Sequence, residues 1–279
     1  MPTAPMRRRR LATTITGLVV LQAGSLISGP CRGAESDGDA AVGVAERSEG
    51  AVPARFQPVQ DPLPVKPPAD AAVLFGHGSE GKPKFTAMDG GPLDWKVEDG
   101  ALVANATDRH ANHAVSTEVF RDADIHAEFL TAPREQGNSG LYIHGLYEMQ
   151  IFDSFGVEPP TEQDEGSLYR FAKPLVNAAR RIGEWQVYDI RYVAPRRGPD
   201  GKVATPGRIT AWLNGRLVQD GVEFTEPRSP FVPYRHGATD HLRRMKKRLD
   251  ETGSGPLFLQ DHGSPTRFRN VWIRHIADE

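Results

Sequence analysis

The chain has 279 residues, a formal net charge of −2, 25% charged residues and one cysteine, Cys31. A charge so nearly balanced gives no electrostatic case for nucleic acid as a partner. Because Cys31 precedes the folded part, the fold has no disulfide, thiolate zinc site or cysteine nucleophile at its disposal, and its stability must come from its core.

The first element in chain order is "MRRRRLATTITGLVVLQAGSLISG", in which four arginines at 7–10 precede an apolar stretch reaching about residue 27, followed by small residues. The apolar part is short and diluted by Thr, Gly, Ser and Gln. That layout predicts an export signal over residues 1–32, with no stable membrane span after processing and a periplasmic or extracellular destination. Residues 33–70 are rich in Ala, Gly, Pro, Asp and Glu and poor in large apolar groups, which predicts a flexible linker. Residues 71–279 remain as one domain, long enough to bury roughly 70% of its unfolded surface.

Within that domain the signals are mostly β. "WKVEDGALVA" reads as strand, Asp-Gly turn, strand, with Trp95, Val97, Leu102 and Val103 in the core. "HAVSTEVFRDADIHAEFLTA" gives two strands broken at 121–124. "SGLYIHGLYEMQIFDS" is a strand pair with its break at Gly145. In "WQVYDIRYVAP", Val187, Ile190 and Val193 point to one buried face, with a bulge or twist needed to align them. "RITAWLNGRLVQDGV" carries Asn214 and Gly215 between β-rich flanks, a strong hairpin signal. One helix is predicted at about 240–250, in "TDHLRRMKKRLDETG": Thr239 caps it, Leu242, Met245 and Leu249 form its apolar stripe, and Gly253 follows its end. "GPLFLQDHGSPTRFRNVWIRHI" closes the domain with two strands around a turn. Many short strands and a single helix predict an all-β sandwich or barrel.

The chemistry concentrates in "NSGLYIHGLYEMQIFDSFG". Residues two apart in a strand share a face, so Tyr142, His144, Glu148 and Gln150 oppose an apolar set, Leu141, Ile143, Met149 and Ile151. An odd-length loop that sets His144 opposite Glu148 keeps the two faces clean, and a bulge near Phe152 would bring Asp153 onto the polar side. Two aromatic rings, an amide and a carboxylate on one strand face suit recognition of a hydroxylated ligand better than simple solvation.

These residues, with "GSLYRFAKPLVNAARRIGEWQVYDI", "WLNGRLVQDGV" and "GPLFLQDHGSPTRFRNVWIR", resemble the 3-keto-disaccharide hydrolase domain family from about residue 73 to 276. The resemblance implies a concanavalin A-like jelly-roll sandwich of two antiparallel sheets, and a sugar oxidised at carbon 3 as substrate. Laminarinase-type glucanases of similar fold carry a Glu-x-Asp-x-x-Glu strand. Here the spacing reads Glu148, Gln150, Asp153, and the central amide speaks against ordinary retaining hydrolysis. A 3-ketone destabilises the oxocarbenium-like state of normal glycosidases and acidifies the hydrogen on carbon 2, which favours elimination followed by hydration. On this reading Glu148 is the base and Asp153 or His262 the acid. Gln150, His144 and Gln260 bind hydroxyls or the ketone, and Arg267 stabilises the enolate. Tyr142 supplies a ring, and Tyr169, Asn177 and Arg180 are rim contacts from the long irregular stretch. The alternative is a non-catalytic carbohydrate-binding module, which would use the rings and amides without Glu148 and Asp153; a third reading is an envelope scaffold. No cofactor is predicted, although "MDGGPLD" is suggestive of structural calcium without a dedicated loop spacing.

Overall fold

The computed structural model describes residues 57–76, 81–104, 112–133, 137–229, 232–235 and 238–277. The expected export signal and the first part of the expected linker lie outside the described residues.

Local signals set most of the elements. β1 (Ala72–Phe75) and the two-residue β2 (Phe85–Thr86) lead into a hairpin of β3 (Lys96–Glu98) and β4 (Ala101–Val103). Its turn residues Asp99 and Gly100 both have positive φ, 50° and 73°, as a two-residue hairpin turn with the right twist requires. β5 (Ala114–Phe120) and β6 (Ala123–Leu130) follow, then the pair β7 (Asn138–Ile143) and β8 (Tyr147–Phe152). After a long irregular stretch come β9 (Gln186–Val193), the short β10 (Arg196–Arg197) and β11 (Val203–Thr205), β12 (Gly207–Leu213) and β13 (Arg216–Phe224). Asn214 and Gly215 make the β12–β13 turn, with Leu213 opposite Arg216. Helix α1 (Asp240–Thr252), β14 (Gly255–Leu259) and β15 (Arg267–His275) complete the chain. α1 begins where the Thr239 hydroxyl accepts from Leu242 N–H and ends at left-handed Gly253, whose N–H reaches the Leu249 carbonyl.

Apart from β10 and β11, which pair with each other, the strands form two antiparallel sheets. The larger runs β13-β12-β9-β6-β15-β4-β3, with β1 also on β15; the smaller runs β2-β5-β14-β7-β8. Between them lies one apolar core that includes Ile125, Phe129, Leu141, Met149, Tyr188, Ile190 and Phe268. The fold is therefore the all-β two-sheet sandwich with one helix. The helix lies on the outer face of the smaller sheet, where Leu242 joins Met88, Val115, Tyr142 and Phe258 in a second apolar cluster.

Three expectations change. Val97 lies on a short strand at the end of the larger sheet and is 47% exposed. On β9 the core face belongs to Tyr188, Ile190 and Tyr192, so the strand alternates regularly and the apolar surface comes from tyrosine rings, not valines. Residues 57–70, expected to belong to the flexible linker, pack along the outer face of the larger sheet. There Gln60 Nε2 donates to Asp189 Oδ2 at 2.7 Å and Val65 N–H to Glu128 Oε1 at 2.8 Å. Beneath this strap His126 Nδ1 lies 2.8 Å from Asp189 Oδ1 and stacks on Trp272 at 4.7 Å. Arg269 and Asn270 complete the contacts of Glu128.

Candidate active site

β7 and β8 pair without interruption from Asn138 opposite Phe152 to Ile143 opposite Tyr147. The loop is three residues long, 144–146. The odd length keeps the two faces distinct, but Glu148 stands opposite Tyr142, and His144 lies inside the turn with φ of 56°. Gly145 has φ of 65°, and a Cβ there would come within 2.8 Å of both Phe258 and Tyr234. The pairing runs unbroken to Phe152, so the bulge expected near it is absent.

The apolar parity faces the core and the polar parity faces outward on the smaller sheet. Residues 167–169 extend that face by pairing alongside β8. Gln150 N–H donates to Ser167 O, Tyr169 N–H donates to Glu148 O, and Leu168 bridges Met149. Across the strands this sets Tyr169, Glu148, Tyr142 and Phe258 in one row, and Ser167, Gln150, Gly140 and Gln260 in the next. His113 adjoins Gln260, its Nδ1 accepting from the Asp261 N–H at 3.1 Å and its ring 6.0 Å from that of Tyr142.

Gly140 leaves a gap in the second row, and Glu148 reaches over it. A Cβ on Gly140 would sit 2.7 Å from Glu148 Oε1. Burial pushes the Glu148 carboxyl up to about 7, against hydrogen bonds from Tyr142 and Gln260 that favour the charged form. The Tyr142 phenol is held protonated by burial and by the charge of Glu148, and its oxygen accepts from Gln260 Nε2 at 3.0 Å. Asn138 Oδ1, Gln150 Oε1, Gln260 Oε1 and Ser167 Oγ are buried without a hydrogen-bond partner. Unsatisfied buried polar atoms are rare, and four on one face set it apart as the candidate site. A hydroxyl group suits each of them.

Tyr142, Glu148, Gln150, Gln260 and Tyr169 are thus brought together. Asp153, expected to join them, lies past the end of β8, where its charge acts on fully buried Glu165. His262 is exposed in the turn after Asp261. Arg267 faces Glu98 and Asp99 at 3.4 and 3.3 Å. Asn177 staples a loop through Ser154 O and Val157 O, and Arg180 holds Trp185 O. His144 is enclosed at the end of the core, between Phe120 and Tyr192. All but Arg267, which begins β15, lie in loops or turns, and spacing along a strand is readable where the path of a loop beyond it is not. The residues missed, His113, Asn138, Gly140 and Ser167, had a signal in part. Asn138 and Gly140 share the parity of Tyr142, and His113 continues the outward parity of Val115. Among the described residues no group of three or more His, Cys, Asp or Glu is placed to hold a metal ion. In "MDGGPLD", Asp89 accepts from Gly91 N–H while Asp94 accepts from Asn112 Nδ2.

A family profile described as a 3-keto-alpha-glucoside-1,2-lyase-like domain matches residues 71–274. Among solved structures, a candidate glycosyl hydrolase of Parabacteroides distasonis is 31% identical, with a TM-score of 0.60, covering 75% of this chain and 84% of its own. Two more candidate glycosyl hydrolases of that organism are 20% and 19% identical, with TM-scores of 0.45 and 0.46. They cover 70% and 74% of this chain, and 89% and 99% of theirs. No protein of curated function matches the chain.

Proposed function

Since the chain belongs to the 3-keto-alpha-glucoside-1,2-lyase-like family, we propose that it cleaves the glycosidic bond of 3-keto-glycosides by elimination across carbons 1 and 2. The observation that carries this reading is the Glu148 carboxyl, poised at about 7 over the gap at Gly140 and ringed by unsatisfied acceptors. A base with that value is substantially ionised at neutral pH and, being desolvated, still takes a proton readily.

In this mechanism Glu148 removes the proton on carbon 2, and the electron pair enters the adjacent ketone as an enolate. Collapse of the enolate forms the carbon 1–carbon 2 double bond and expels the aglycone oxygen. The proton held by Glu148 passes to the departing aglycone oxygen, which restores the carboxylate, and the sugar leaves as an enone that water can add to, giving net hydrolysis. Tyr142, kept as a neutral phenol, is a hydrogen-bond donor beside the base, and His113, whose Nδ1 accepts a bond, carries its proton on Nε2. These two donate hydrogen bonds to the ketone or the departing oxygen without giving up their protons, in place of the acid role that the sequence suggested for Asp153 or His262. The amide oxygens of Gln150, Gln260 and Asn138 accept from sugar hydroxyls. Residues 1–32 support export, so that the enzyme would meet its glycosides in the periplasm or outside the cell.

A carbohydrate-binding module without catalysis would use the same amides, and it has no need of a carboxyl titrating near neutrality. The test is turnover of a 3-keto-disaccharide in heavy water, beside its unoxidised parent. Deuterium at carbon 2 of the hydrated product is expected. Glu148→Gln should lower turnover by about 10²–10⁴ while the sugar still binds. Equal cleavage of the unoxidised parent, or product without deuterium, would exclude elimination; binding without turnover by the wild type would make the protein a module.

A further inference from the structure

A cavity of about 610 Å³ opens at the hairpin end of the sandwich, between the 144–146 turn, the start of β10 and the last turn of α1. The volume falls within the roughly 300–1,000 Å³ of small-molecule sites. Glu148, Tyr142, Gln150 and Gln260 do not line it. Tyr234, packed edge-on against Phe258 at 5.7 Å, stands on the side towards that row, because Phe258 pairs with Tyr142.

Two of the residues lining this cavity carry a buried polar atom with no hydrogen-bond partner, His144 Nε2 and Tyr234 Oη. His144 is enclosed, with Nδ1 3.2 Å from the Tyr192 hydroxyl. Burial brings its ring down to about 4, against the nearby Phe120 carbonyl and the Asp122 charge, which favour the protonated form, so it is neutral across the working pH range. A neutral imidazole nitrogen accepts or donates according to tautomer, and a phenol can do both, so a hydroxyl group satisfies either. The lining carries four cations and three acids, so its charge nearly balances, and two of the cations are paired within it. Arg197 holds Glu226 through two bonds of 2.6 and 3.0 Å, and Lys246 holds both oxygens of Asp250 at 2.6 and 2.7 Å. Such pairs offer donors and acceptors together without favouring an anion or a cation. Pro195, Pro227 and Leu249 give apolar wall against which the C–H face of a ring can lie.

We propose that this cavity is a second saccharide site, taking a neutral mono- or disaccharide whose hydroxyls reach His144 Nε2 and Tyr234 Oη. It is separate from the cleavage face and does not require an oxidised sugar, so it stands or falls independently of the lyase reading.

The test titrates the full chain with sucrose, trehalose and cellobiose, following the His144 ring resonances by NMR and the affinity by calorimetry. At least one disaccharide should shift the His144 signals and saturate. Tyr234→Phe should weaken that binding about tenfold, the effect of one lost hydrogen bond. Leu249→Trp, which fills the cavity, should abolish it while cleavage of a 3-keto-disaccharide continues, and Glu148→Gln should leave it unchanged. If no sugar moves the His144 signals, the cavity holds ordered water only and the proposal fails. Binding that survives Leu249→Trp, or disappears in Glu148→Gln, would assign it to the other face and overturn the proposal equally.

Discussion

At the scale of single residues, Glu148 has an energetic signature as well as a chemical role. Its folded value, about 7, lies above the ordinary 4.5. The fold therefore binds this proton more tightly than the unfolded chain does. The corresponding stability is full below about pH 4.5, is lost as pH rises, and is gone once pH passes about 7. The penalty at alkaline pH is on the order of 3 kcal/mol. Glu148→Gln, isosteric and uncharged, should melt higher than the wild type at pH 8 and nearly alike at pH 4.5. Thermal scans at the two values check it. Gly140 gives a second prediction: Gly140→Ala puts a methyl group 2.7 Å from Oε1. Being on the strand, the backbone cannot retreat, so the carboxylate must move. Turnover should drop at least tenfold with little change in melting, read as kcat against KM for a 3-keto-disaccharide.

At the scale of elements, the sequence was most legible where backbone chemistry is local. Asn214 and Gly215, Asp99 and Gly100, Thr239 and Gly253 announce their turns and caps because few other residues adopt those conformations cheaply. Alternation on β7 and β8 was legible too, and it placed Tyr142, Glu148 and Gln150 together. Less was visible on β9, where Tyr188 and Tyr192 face the core and the hydroxyls are absorbed internally: the Tyr188 Oη–H donates to Gln150 O at 2.6 Å. Aliphatic side chains alone gave Ile190 its place in the core but set Val187 and Val193 beside it, and these two lie on the other face. Asp153 was misplaced because residues 167–169 run beside β8 and take the outward positions without any bulge. Such a neighbour is set by tertiary packing, not by the strand itself. α1 offers the check at this scale. The Thr239 hydroxyl both accepts from Leu242 N–H at 3.1 Å and donates to Met88 O at 2.6 Å. Thr239→Ala removes a cap and a tie to the sheet, and should cost about 1–2 kcal/mol in denaturant unfolding.

At the scale of the whole molecule, the larger sheet buries charge on its outer face. Burial opposes ionisation of both His126 and Glu128, yet each favours its charged form. Asp189 and Glu128 raise His126, while His126 and Asn270 lower Glu128. The His126 contribution is full below pH 6.5 and is lost as pH rises through its folded value. None of this showed in the sequence, since the partners come from β6, β9, β15 and a segment whose composition reads as linker. Gln60 and Val65 cover the group, and Asn270 Nδ2 returns a bond to Val65 O at 2.7 Å. A chain starting at residue 71 keeps every strand but loses the donors to two buried carboxylates. It should unfold about 2–5 kcal/mol more easily than one starting at residue 57. Parallel urea titrations of the two compare them directly.

That strap also decides how far the N-terminal region can be eroded. An exopeptidase advancing from the front should slow just before Gln60, whose side chain is gripped by Asp189 and by the amide of Gly215. The durable fragment should begin some ten residues ahead of the family likeness, and its mass would report where protection starts.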